Sequence, residues 1–112
     1  MQAVHLPNTC LPCLDSVTMS KPVVVFSLDA ESLGLYGTTF AVGVSVRDLS
    51  TNTEIGTFYA NCGLENADPN VKAHSSYEWL KTNVVPHLRP QTHRTPREVH
   101  EAFWDFYRNW CK

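Results

Sequence analysis

The chain has 112 residues, of which 43% are apolar and 18% charged, with seven prolines spread along it. That length argues for one domain, and the composition excludes collagen-like, coiled-coil and largely disordered classes. A net charge of −2 and a pI near 6.2 exclude a protein that coats nucleic acid by charge alone.

The charge is unevenly distributed. Residues 1–69 carry two basic and seven acidic side chains (−5), and residues 70–112 carry seven basic and four acidic ones (+3). An acidic front half and a basic back half suit a metal site beside a phosphate-binding surface, although ordinary solvated faces produce the same split. The apolar runs fall far short of the roughly 20 residues that span a bilayer. With Pro7 and Pro12 interrupting it and no basic segment ahead of an apolar one, the N-terminus does not read as a secretory signal. The expectation is a cytoplasmic protein with no membrane partner.

Residues 1–18 read as a leader or disordered extension, without helical or strand period, and Met19 is a plausible natural start. Cys10 and Cys13 have C-x-x-C spacing, but no helix follows and no second ligand pair lies at zinc-finger distance. Cys62 and Cys111 lie in apolar elements and read as reduced core thiols. The folded part, residues 19–112, opens on Val23-Val24-Val25-Phe26-Ser27-Leu28-Asp29, a β-branched and aromatic run typical of a strand buried on both faces. Gly34 and Gly37 then mark a turn. Phe40, Val42, Val44 and Val46 alternate with Thr39, Ala41, Gly43 and Ser45, which predicts a half-buried second strand. Residues 48–52 form a polar hairpin loop, and residues 53–61 a third strand.

Two helices are predicted next. Ser75-Ser76-Tyr77-Glu78 has capping-box form, and its helix should stop by Val85 because Pro86 disfavours helix before it. Thr95-Pro96-Arg97-Glu98 is a second box with proline at the first helical position. Beyond it Val99, Phe103, Phe106 and Trp110 make one apolar stripe. The order is βββαα: an α/β chain with a three-stranded antiparallel meander followed by two helices.

The chemistry concentrates in Asp29-Ala30-Glu31-Ser32-Leu33-Gly34-Leu35. Residues two apart in a strand share a face, so Asp29 and Glu31 project together at the end of a buried strand. Such a pair is costly unless solvated, paired or bound to cations, and hard divalent ions take oxygen ligands of this kind. Two such ions about 4 Å apart can activate a water and stabilise the leaving oxygen in phosphodiester hydrolysis.

In its context of a valine-rich strand and a glycine-punctuated turn, this segment resembles the first motif of the DEDD 3′–5′ exonucleases, the proofreading-type branch of the RNase H-like fold. The resemblance covers residues 22–112 in element order and 29–35 in motif. It implies an RNase H-like domain, here represented by its N-terminal part and truncated before the fourth strand. It also implies hydrolysis of the terminal phosphodiester of DNA or RNA with Mg²⁺ or Mn²⁺. By position Asp29 and Glu31 would be the catalytic metal ligands. Ala30, Ser32 and Leu35 would contact the 3′-terminal nucleotide.

The family's second-motif aspartate and its third motif, a histidine or tyrosine shortly before a final aspartate, have no counterpart after the second helix. His100 and Asp105 have third-motif spacing but precede any fourth strand. An incomplete and inactive domain is therefore expected, with self-association through the exposed edge of the first strand. Arg89, Arg94 and Arg97 are candidates for phosphate contact, and Trp79, Trp104 and Trp110 for base stacking, each against the commoner surface or core role. The alternative from another class is a small, non-catalytic βββαα interaction module.

Overall fold

The computed structural model describes residues 2–5 and 23–111. Strand β2 runs Val24–Ser32, β3 Thr39–Asp48 and β4 Thr53–Asn61. All three pair antiparallel in sequence order, from Val24↔Asp48 to Ser32↔Thr39 and from Ala41↔Asn61 to Asp48↔Thr53. The β3–β4 hairpin closes where expected. The Asp48 carboxylate accepts from the Ser50 N–H at 2.8 Å and its hydroxyl at 2.7 Å, and Asn52 takes the left-handed conformation at φ 56°.

One strand was not expected. Gln2–His5 forms β1 and pairs antiparallel along β2, from Gln2↔Leu28 to His5↔Val25, giving a four-stranded sheet in the order β1-β2-β3-β4. Part of the segment read as a structureless leader is thus a strand, while Cys10, Cys13 and Met19 lie outside the described residues. The first-strand edge expected to be open is covered over Val25–Leu28. Four residues are too few to show a period, and the pull on them comes from the unpaired N–H and C=O groups of β2.

Strand alternation divides the sheet into two faces. Phe26, Val42, Val44, Val46, Phe58 and Ala60 form the apolar face, on which the long helix α2, Pro96–Trp110, is packed. The expected stripe makes this contact: the Phe58 ring lies 5.1 Å from Phe106, and Phe26 stands 6.5 Å from Trp110 and 5.5 Å edge-on from Tyr107. Phe40, Val46, Cys62 and Val99 are the largest fully buried side chains. Burying a residue such as Phe or Val stabilises the fold by roughly 1.5–3 kcal/mol before the entropy of ordering is set against it. Cys62 is a free, buried thiol and Cys111 a free, half-buried one, as expected.

The helix starts behave differently. At α2 the Thr95 hydroxyl accepts from the Glu98 N–H at 3.1 Å, and the Glu98 carboxylate reaches back to the Arg94 N–H at 2.7 Å. The first helix, α1, spans Tyr77–Asn83 without a side-chain cap. The cap that the box predicts, Ser75, does not fill that place: the residue before the helix is Ser76, whose dihedrals, φ −86° and ψ −8°, are helical, whereas a capping residue needs extended backbone to aim its oxygen at the first turn. The Ser76 N–H instead donates to His74 Nδ1 at 3.1 Å. The helix stops before Pro86, which is taken up in the 3₁₀ turn Val85–His87.

Candidate functional site

The polar face of the sheet carries Ser27, Asp29 and Glu31 from β2, opposite Ser45, Gly43 and Ala41 of β3. Thr57, Tyr59 and Asn61 of β4 continue these rows. Over this face the end of α1 and the segment after it supply Asn83, Val84, His87, Leu88 and Arg89, enclosing a groove of about 420 Å³. The volume is that of a small-molecule pocket. Asp29 and Glu31 line it together, on the face opposite α2, as the two-residue period predicts. Burial, followed by the charge of Asp29, holds the Glu31 carboxyl above its ordinary value of 4.5. The two carboxylates therefore feel one another. Glu54 also lines the groove and accepts from the Ser45 hydroxyl at 2.5 Å.

The segment after Glu31 is shaped by backbone constraints. The β2–β3 register shifts between Glu31 and Ser32, an irregularity of the kind that re-aims side chains at functional strand ends. Leu33, buried at 3% exposure, donates its N–H to the Thr38 carbonyl at 2.9 Å and closes the loop. Gly34 has φ +71° and lies under the His74 ring, and a Cβ on Gly37 would collide with the Leu33 carbonyl. β2 thus runs to Ser32, beyond the predicted end at Asp29, and the loop closes directly after it. Leu35 and Tyr36 stand at its tip, 86% and 96% exposed. Ala30 lies on the other face from the acidic pair, opposite Val42, and Ser32 pairs with Thr39; neither of them lines the groove, nor does Leu35.

Other candidates separate. His100 and Asp105 ride on α2, across the sheet from the acidic pair, and Asp105 is bonded to Arg108 at 2.5 Å. Trp110 is packed against Phe26, while Trp79 and Trp104 are 60% and 50% exposed. Arg97 pairs with Glu101 at 3.3 Å. Arg89 does join the groove, and so do His87 and Tyr59, which no local motif singles out.

Asp29 and Glu31 offer hard oxygen donors that fit Mg²⁺ or Mn²⁺ in kind, though they are two ligands only. Among the described residues no group of three or more His, Cys, Asp or Glu side chains is arranged to hold a metal ion. Nor is any helix among them long and apolar enough to cross a membrane. No family model, curated protein or solved structure matches the chain.

Proposed function

We propose that this chain carries the first-motif half of a metal-dependent 3′–5′ exonuclease site on an RNase H-like framework. The reading rests on one observation: Asp29 and Glu31 share a groove on the polar face of the sheet, in the C-terminal half of β2. The succession of β2, β3, β4, α1 and α2, and the loop closed by the Leu33–Thr38 bond, support it. A divalent ion bound there would supply the positive charge that phosphodiester hydrolysis draws on. The chain's own part is to hold the two carboxylates on one face and to keep the loop after them in position. Leu35, projecting from that loop, would meet the terminal nucleotide.

Metal titration tests this directly. Mn²⁺ should bind the wild-type chain weakly, by calorimetry or paramagnetic broadening, and Asp29→Asn should remove most of that binding. Identical broadening in wild type and variant would overturn the assignment and leave the non-catalytic interaction module in its place.

A further inference from the structure

Arg89 belongs to the groove wall that faces Asp29 and Glu31. Its position is built by β4. The Arg89 carbonyl accepts from Tyr59 Oη at 3.2 Å and from Asn61 Nδ2 at 3.1 Å. Asn61 is itself 4% exposed, and its own carbonyl accepts the N–H groups of Thr92 and His93 at 2.8 and 3.1 Å. Arg89 and the chain that follows it are thereby tied to the end of the sheet. The side chain is held as well, since the guanidinium carbon lies 5.2 Å from the Tyr59 ring centroid, over the ring face.

Tyr59 pairs with Gly43, and Gly43 with Asp29. Two strand spacings, roughly 10 Å, therefore separate the backbone beneath Arg89 from that of Asp29. Arg89 takes part in neither of the two ion pairs among the described residues, Arg97–Glu101 and Arg108–Asp105. A guanidinium stacked in place, with no carboxylate paired to it among the described residues, is arranged to receive an anion of planar or tetrahedral oxygen geometry. Across the groove the carboxylates repel that same anion unless a cation sits on them. A phosphodiester strand satisfies both walls at once, with a divalent ion on the acidic side and the arginine on the other.

We infer that Arg89, laid on Tyr59, is a positioning residue that grips a backbone phosphate of the strand whose terminal linkage meets Asp29 and Glu31. The inference rests on the exonuclease reading above. Because Arg89 is already held by Tyr59 and Asn61, little ordering cost opposes the contact on that wall.

The test measures binding of short fluorescein-labelled single strands, DNA and RNA, to the full chain in Mn²⁺ by anisotropy, between about 50 and 200 mM salt. Mn²⁺ binding without oligonucleotide is followed in parallel. Arg89→Ala weakens oligonucleotide binding about tenfold and flattens the log–log salt slope by about 0.7, the value for one phosphate contact on a single strand. It leaves Mn²⁺ binding unchanged. Arg89→Lys and Tyr59→Leu give intermediate losses, because each spoils the stacked geometry while keeping the charge. Arg108→Ala, an equal change of charge on the other side of the sheet, leaves binding at the wild-type level. Wild-type affinity and slope in Arg89→Ala would overturn the inference, as would a wild-type chain that binds Mn²⁺ but no oligonucleotide. In both cases the metal reading stands if Asp29→Asn still abolishes Mn²⁺ binding. A wild-type chain that binds neither overturns both.

Discussion

Glu31 is the residue whose environment says most about the site. Burial first, and the Asp29 charge second, hold its carboxyl above 4.5, so in the free protein its ionised form is disfavoured relative to the unfolded chain. The protonated form stabilises the fold: that contribution is fully present below 4.5 and is lost as pH rises through the raised folded value. Glu31→Gln should therefore raise the melting temperature of the metal-free protein at neutral pH, and the gain should shrink on acidification as the Glu31 carboxyl takes up its proton. Melting curves across that range check this, and a pH-independent difference would remove the linkage. Mn²⁺ affinity should rise with pH over the same window, because the ion needs the carboxylate. Asp29 and Glu31 were legible as a pair because strand periodicity is local. Tyr59 and Arg89 were not, since 30 residues separate partners that only meet across the sheet.

At the scale of elements, two similar capping sequences have different outcomes. Thr95 has extended backbone, φ −135° and ψ 155°, and its hydroxyl reaches the helix; Ser76 follows a 3₁₀ turn and is already helical. Thr95→Ala should lose about 1 kcal/mol of unfolding free energy in urea, whereas Ser75→Ala and Ser76→Ala should each stay within about 0.5 kcal/mol. The Arg94 N–H bonded to Glu98 is the main cause that lowers the Glu98 pKa below 4.5, so its stabilising contribution is present above that value and fades as pH falls through the lowered one. The other end of α2 depends on β4. A Cβ on Gly56 would come within 2.5 Å of Trp110 Cζ2, so the indole lies flush on bare backbone. Gly56→Val should push Trp110 outward, destabilise by about 1–3 kcal/mol and shift the tryptophan emission to the red. An unshifted spectrum with unchanged stability would contradict that packing. The stripe on α2 was evident from its spacing, but the glycine it seats on is a tertiary coincidence of β4.

For the molecule as a whole, the notable event is the pairing of β1 with β2. It covers Val25–Leu28 and ends at Gln2↔Leu28, so the acidic stretch from Asp29 onward is not paired by it. Deleting residues 1–18 should uncover an apolar edge, which is a template for association. Sedimentation should show the deleted chain self-associating at micromolar concentration while the full chain does so less. Equal behaviour of the two would show that β1 does not protect the edge. Catalysis is a separate matter. The groove holds the two carboxylates of one motif, and among the described residues no third ligand joins them. The chain by itself should show no detectable degradation of single strands with Mg²⁺ or Mn²⁺. Metal-dependent degradation abolished by substitutions outside the groove would relocate the site.

Sequence periodicity alone was enough to specify three strands, their antiparallel order, the stop before Pro86, the stripe on α2 and the shared face of Asp29 and Glu31. Each of these depends on neighbours within a few residues, where alternation, proline and glycine act directly on the backbone. The remaining features required the fold. Gln2–His5 becomes a strand because β2 offers it an edge, and the Ser75 box fails because the helix starts one residue later, after Ser76, whose own backbone is already helical. Arg89 enters the groove because a buried asparagine and a tyrosine hydroxyl on β4 hold its carbonyl. Side chains far apart in the chain meet only once the sheet exists, so no local pattern records them.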